Sequence, residues 1–131
     1  MIIAKPQTMD SIKAEHDKIV KNLVDKFSAK YNVLSNLDKE QNFIANIFPD
    51  LILSDKATNR IMYIIEVKRN GGIANCIQQW KNMKAIPATL YMIVPDSDLA
   101  NAKSIAQVIG LQIRFGSYSF DGSDNPIIKF E

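Results

Sequence analysis

Charged residues interrupt two apolar segments that are separated by a short polar turn. The first segment carries Asp50, and the second carries Glu66 and Lys68. Side chains alternate along a strand, so Glu66 and Lys68 should share one face while Val67 points to the other. If the two segments pair as antiparallel strands, Asp50 lies almost opposite Ile65 and Glu66. Two carboxylates and an ammonium group then meet at one end of a sheet.

This grouping of charges indicates a metal site. Neighbouring carboxylates repel each other and are costly to desolvate unless a cation lies between them. Mg²⁺ (or Mn²⁺) is the expected cofactor, because hard cations bind one or two carboxylates and keep their waters. Lys68 could orient or deprotonate a water and offset charge on a phosphate. Asp50, Glu66 and Lys68 therefore predict metal-dependent hydrolysis of phosphodiester bonds.

The order Pro49-Asp50, then Glu66-Val67-Lys68, resembles the signature of the PD-(D/E)XK nuclease superfamily. The resemblance implies a restriction-endonuclease-like fold and an Mg²⁺-dependent endonuclease or exonuclease. It implies that Asp50 and Glu66 bind the metal, joined by the backbone carbonyl of Val67. It also implies that Lys68 positions the attacking water.

The family supplies further candidates on two helices. Members often add a glutamate from the first helix, and Glu15 borders the apolar stripe there. RecB-like relatives carry a glutamine on the helix after the lysine strand, which Gln78 or Gln79 could provide. Their tyrosine four residues later is missing, because Asn82 or Met83 stands at that position. An ordinary solvated side chain is the alternative interpretation of each candidate.

Other polar and aromatic residues have simpler interpretations. His16 lies on the apolar stripe of the first helix and is interpreted as a core or site-rim residue rather than a ligand. Trp80 is interpreted as core rather than as a platform for a base. Five residues are candidates for binding nucleic acid, although each could be a solvated surface group: Arg69, Asn70, Lys56, Arg60 and Lys81. Arg69 and Asn70 are favoured because they directly follow the motif.

The remaining pattern predicts the elements that position these residues. Expected helices cover residues 9–30, 73–85 and 99–109, and expected strands cover 31–37, 47–54, 61–69, 88–94 and 111–120. Residues 39–46 are ambiguous, residues 1–8 form an arm, and residues 121–131 form a tail in which 126–130 could be an edge strand. Residues 95–98 are expected to cap the last helix. The order αβββαβαβ predicts an α/β fold, with a central mixed β-sheet flanked by helices, as in restriction-endonuclease-like proteins.

Length and composition set broad limits. The 131 residues fit one nuclease-like domain over 1–131, and the net charge of +2 neither requires nor excludes nucleic acid. A single cysteine, Cys76, is compatible with a reducing cytoplasm, which is the expected location. No apolar segment reaches the length that spans a membrane, so no membrane partner is expected.

Three functions remain open at this stage. The first is a nuclease acting on nucleic acid, expected to be DNA, with a possible homodimer addressing two strands. The alternative is a non-catalytic nucleic-acid-binding or structural module that retains the nuclease fold. The third is a small-molecule α/β enzyme, which is disfavoured because Asn70-Gly71-Gly72 lacks the spacing of a phosphate-binding loop.

Overall fold

Six strands and two helices are present in the residues that the computed structural model describes, which are 9–36, 49–69, 82 and 86–131. The elements are α1 Met9–Phe27, β1 Tyr31–Ser35, β2 Leu51–Asp55, β3 Ile61–Val67, β4 Thr89–Pro95, α2 Leu99–Ile109, β5 Arg114–Phe120 and β6 Pro126–Phe130. The predicted α/β class is confirmed. The expected arm, the ambiguous segment 39–46 and the expected helix over 73–85 lie outside the described residues.

The sheet is mixed, and its strands follow each other in chain order. β1, β2 and β3 are antiparallel, β3, β4 and β5 are parallel, and β6 returns antiparallel to β5. The helix α2 provides the crossover that two parallel strands need. Of the two expectations for residues 126–130, the edge strand is confirmed: Pro126–Phe130 forms β6. This strand extends the sheet beyond the predicted order.

The two faces of the sheet carry separate apolar clusters, because side chains alternate along each strand. On one face, Ile65 and Ile93 pack with the fully buried Leu23 of α1. On the other face, Ile64 packs in a cluster that includes Ala102 of α2. The helices therefore cover opposite faces of the sheet. The candidate residues lie where β2 begins and β3 ends.

The bounds of α2 match the predicted 99–109, but the cap before the helix and the start of the next strand differ from the predictions. Asp98 occupies the N-cap position but makes no side-chain cap hydrogen bond, because a 3-10 turn over Asp96–Asp98 leads directly into the helix. At the other end, Gly110 takes a left-handed conformation, and the N–H of Leu111 donates to the carbonyl of Ala106. Leu111 therefore belongs to the end of the helix, and β5 begins at Arg114 instead.

Replacement of Gly116 by alanine should destabilise the sheet. A Cβ at Gly116 would lie 2.7 Å from Cδ1 of Ile93 and 2.9 Å from the carbonyl oxygen of Lys129. Because that oxygen belongs to the β6 backbone, a loss of roughly 1–3 kcal/mol in unfolding free energy is expected from urea denaturation. Gly122→Ala is the matched control, since its Cβ would meet nothing within 4 Å. Equal stability of the two variants would contradict the packing described.

Candidate active site

The β2–β3 hairpin holds the two motif carboxylates together through reciprocal hydrogen bonds. Leu51 lies opposite Ile65, which places Asp50 beside Glu66. The backbone N–H of Asp50 donates to Oε1 of Glu66 at 2.7 Å, and the N–H of Val67 donates to Oδ2 of Asp50 at 2.7 Å. Each acid is thus anchored to the strand of the other. The predicted convergence of Asp50 and Glu66 is confirmed.

The hydrogen bonds between Asp50 and Glu66 and between Val67 and Asp50 also explain why β2 begins later and β3 ends earlier than predicted. β2 begins at Leu51, because Pro49 has no N–H and Asp50 directs its own N–H to a side chain. β3 ends at Val67, whose N–H is taken by Asp50. Asn36 then holds the backbone of this region, since its side-chain amide donates to the carbonyl of Pro49 at 2.6 Å.

Lys68 brings a cation to the same end of the sheet. Val67 packs on the α1 side, so alternation places Glu66 and Lys68 together on the other side. The ammonium Nζ of Lys68 lies 3.6 Å from Oε2 of Glu66, and the two residues are only 9% and 4% exposed. A charge buried to this degree is tolerated only with a compensating charge nearby. The pairing of Lys68 with Glu66 meets this requirement.

The imidazole of His16 connects α1 to the hairpin. Its Nε2 lies 3.1 Å from Oδ1 of Asp50, and its Nδ1 lies 3.1 Å from Oδ1 of Asp17. Burial lowers the pKa of His16, but the hydrogen bond and charge of Asp50, together with Asp17, outweigh burial and raise that pKa above its usual 6.5. His16 is therefore a site-rim residue that contacts a motif carboxylate directly.

The stability contributed by His16 should depend on pH. Because its pKa is raised on folding, the stabilisation is complete below the unfolded-state pKa and is lost as pH rises through the folded-state pKa. His16→Gln should cost roughly 1–3 kcal/mol of unfolding free energy near pH 5.5 and less near pH 8.5, measured by urea denaturation. Lys18→Gln, an exposed change on the same helix, should show no such trend. A larger cost at the higher pH would contradict this assignment.

Tyr118 was not a candidate in the sequence, yet it contacts the motif. Its hydroxyl donates to the backbone carbonyl of Lys68 at 2.7 Å, and the side chain is buried. Burial raises the pKa of Tyr118, and the charges of Glu15 and Asp98 raise it further. Glu15 lines a depression beside Tyr118 and Pro95. The first-helix glutamate therefore lies near Tyr118, whereas His16 is the α1 residue that contacts Asp50.

The basic candidates separate into two groups. Arg69 is exposed directly after the motif, and its charge acts on His16. Lys56 and Arg60 lie in the turn at the other end of the hairpin, roughly 15 Å or more from Asp50 along β2 at the usual rise per residue. The structure therefore places Arg69 at the motif end of the hairpin, where its charge acts on His16, and the other two at the opposite end.

The remaining expected contributors are not in the described part of the chain. They are Asn70, Gln78, Gln79 and Lys81, and Trp80, which is expected in the core, also lies outside the described residues. The site roles of the four polar residues and the core position of Trp80 stay predictions.

The donor groups fit a hard cation such as Mg²⁺. Two carboxylates converge at one sheet end, and Mg²⁺ is commonly held by one or two carboxylates plus water. Extending the β2–β3 register places Pro49 opposite Val67. Because proline has no N–H, Pro49 cannot donate to the Val67 carbonyl, and this oxygen receives no backbone hydrogen bond from position 49. Across residues 9–36, 49–69, 82 and 86–131, no group of three or more His, Cys, Asp and Glu side chains is arranged as a metal site. The fit therefore rests on two carboxylates and a backbone carbonyl.

Comparison with known proteins finds no matching family model, no similar curated protein and no similar solved structure. Neither described helix has the length and apolar character needed to cross a membrane.

Proposed function

We propose that this chain is a metal-dependent nuclease of the PD-(D/E)XK type that hydrolyses phosphodiester bonds of DNA. The observation that carries the proposal is the pair of reciprocal hydrogen bonds linking Asp50 and Glu66, with Lys68 beside Glu66. A restriction-endonuclease-like fold is part of the proposal. It is supported by the helix α1, the antiparallel β1–β2–β3 unit and the parallel strands that follow.

Each residue of the site would have a distinct role. Asp50, Glu66 and the Val67 carbonyl would hold Mg²⁺ or Mn²⁺, which when bound supplies positive charge against the developing charge on phosphorus and acidifies water. The Lys68 ammonium would orient the attacking water and offset phosphate charge. Hydrogen bonds from Val67 N–H and His16 would fix the orientation of the Asp50 carboxylate.

The surroundings of the site are compatible with a DNA backbone. Arg69 is exposed next to the motif and could contact a phosphate. With a net charge of only +2, affinity would depend on local cations rather than on the charge of the whole chain. Cutting both strands of a duplex would be served by a homodimer, in which two sites address two strands.

A non-catalytic module with the same fold is the second candidate, and one observation favours it. Each motif acid already has a nitrogen partner: Lys68 lies beside Glu66, and His16 lies beside Asp50. If both partners are protonated, the two negative charges are balanced without a metal. Such a module would bind nucleic acid or a protein and leave phosphodiester bonds intact.

Cleavage of a labelled nucleic-acid panel tests the proposal. The panel contains single-stranded, duplex, flap and four-way-junction DNA together with RNA, each with Mg²⁺, with Mn²⁺ and with chelator. Metal-dependent cleavage by the wild type, lost in Glu66→Gln, is the expected result. Folded protein that binds a substrate but cleaves none would favour the non-catalytic module. Cleavage of RNA alone would support the chemistry and correct the proposed substrate.

A further inference from the structure

A proline removes one backbone hydrogen bond from the sheet beside the candidate active site. β3 and β4 are parallel with Val67 opposite Ile93, and the N–H of Lys68 donates to the Ile93 carbonyl at 2.8 Å. In a parallel ladder, the carbonyl of Lys68 should accept from the N–H two residues beyond Ile93, at position 95. Pro95 occupies that position and has no N–H. The ladder therefore provides no backbone donor from β4 for the Lys68 carbonyl.

The side chain of Tyr118 replaces the missing donor. Tyr118 lies opposite Pro95 in the pairing of β4 with β5, and its hydroxyl reaches the Lys68 carbonyl at 2.7 Å. The residue is 4% exposed and packs in the cluster that contains Val67 and Ile93. A buried carbonyl needs a hydrogen-bond donor, so the hydroxyl satisfies a requirement that Pro95 creates.

We propose that Tyr118 is a positioning residue of the candidate active site and acts through the carbonyl of Lys68. This inference rests on the proposed nuclease function. The carbonyl is attached to the Cα from which the Lys68 side chain projects, so fixing it limits rotation of the backbone there. The hydrogen bond thereby holds the Lys68 ammonium in place 3.6 Å from Glu66. Tyr118 contacts the backbone and is assigned no part in proton transfer.

The protonation state of Tyr118 sets a further condition on this role. Burial and the charges of Glu15 and Asp98 raise the pKa of its phenol. The depression beside Tyr118 is lined by two carboxylates, those of Glu15 and Asp96, and by the hydroxyls of Ser97 and Ser119. Because the pKa of the phenol is raised, the hydroxyl remains a donor throughout the pH range of an assay. Removing it should lower the rate equally at all pH values and leave the shape of the pH profile unchanged.

Tyr118→Phe with a compensating change at Pro95 tests the proposal. Tyr118→Phe keeps the ring and should lower kcat about 10- to 100-fold, the usual effect of losing an outer-shell partner, with little change in KM. Pro95→Ala restores the backbone N–H at position 95, which a parallel ladder directs to the Lys68 carbonyl. The double variant Pro95→Ala/Tyr118→Phe should therefore recover most of the rate of Pro95→Ala alone. Tyr91→Phe is the control, because it removes a phenol that interacts with Arg114 instead.

Hydrogen exchange gives a readout that does not require nuclease activity. Amide exchange of Lys68 should be at least about 10-fold faster in Tyr118→Phe and should slow again in the double variant. If the wild type cleaves nothing but this pattern is observed, the positioning role stands and the nuclease proposal alone fails. If Tyr118→Phe does not fold, folding of the double variant supports the proposal.

Three results would overturn the inference. The first is a Tyr118→Phe protein with wild-type kcat and wild-type exchange at Lys68. The second is a lower rate of cleavage, or a faster amide exchange at Lys68, in Tyr118→Phe that the added Pro95→Ala change does not reverse. The third is failure of both the single and the double variant to fold, because that outcome would assign Tyr118 to general packing.

Discussion

Glu66→Gln is expected to reduce the rate of DNA cleavage by on the order of 10²- to 10³-fold, as for loss of one charge-stabilising group in other enzymes. The substitution removes the negative charge but keeps Oε1, which accepts the Asp50 N–H at 2.7 Å. The hydrogen bond between the two strands is therefore kept, while the proposed Mg²⁺ site would lose one of its two carboxylates. Single-turnover cleavage with saturating enzyme measures the chemical step directly.

Glu131→Gln is the matched control for this variant. Glu131 pairs with Lys103 at an exposed position away from the motif, with both side chains 45% exposed. The same chemical change there should leave cleavage within about twofold of wild type, since exposed ion pairs contribute little. Cleavage by Glu66→Gln close to the wild-type rate, in protein free of contaminating nuclease, would exclude Glu66 as a metal ligand. Loss of cleavage together with loss of folding would require repeating the test with Glu66→Asp.

The hairpin that carries the motif could be predicted because its determinants are local. Turn-forming residues separate two apolar segments, and alternation fixes which side chains share a face. Asp55 illustrates this, since its carboxylate accepts the N–H groups of Ala57 and Thr58 to form the turn. Once the turn is placed, the register follows, and Asp50 falls beside Glu66. Residues close in sequence thus specified the central part of the site.

The roles of His16 and Tyr118 could not be predicted, because they depend on the placement of distant elements. The helical stripe shows that His16 faces the sheet, but the crossing angle of α1 decides that it reaches Asp50. Tyr118 contacts a residue 50 positions earlier through two parallel pairings. From the sequence alone, Pro95 is expected only to be part of a helix cap. Its missing N–H has a consequence only once the register between β3 and β4 is known.

Dependence on a distant element also explains why the sequence leaves residues 126–130 open between a tail and an edge strand. Residues 126–130 are short, and their alternation of partly buried and exposed side chains is a weak signal for a strand. They form β6 because β5 offers a free edge and the turn after Phe120 reverses the chain. Asp121 stabilises that turn by accepting the N–H groups of Ser123 and Asn125. A strand of this kind depends on its neighbour more than on its own sequence.

Lys68→Met is expected to lower both the stability of the protein and its rate of cleavage. Methionine retains most of the length of the side chain but leaves Glu66, which is 4% exposed, without the ammonium at 3.6 Å. Removing one member of a buried pair should cost roughly 3–5 kcal/mol of unfolding free energy in the absence of metal. Cleavage should fall by on the order of 10²- to 10³-fold, as for other charge-stabilising groups. Urea denaturation and single-turnover cleavage measure the two effects.

Addition of Mg²⁺ then gives opposite expectations for the two functions. If Asp50 and Glu66 bind the cation, Mg²⁺ should stabilise Lys68→Met more than the wild type, because Lys68 no longer competes for Glu66. In a module whose carboxylates are balanced only by Lys68 and His16, Mg²⁺ should not restore stability. Lys103→Met, at the exposed pair with Glu131, should change stability by no more than about 1 kcal/mol with or without metal. Equal metal responses in Lys68→Met and Lys103→Met would therefore contradict a metal site at Glu66, even if Lys68→Met had lost its cleavage activity.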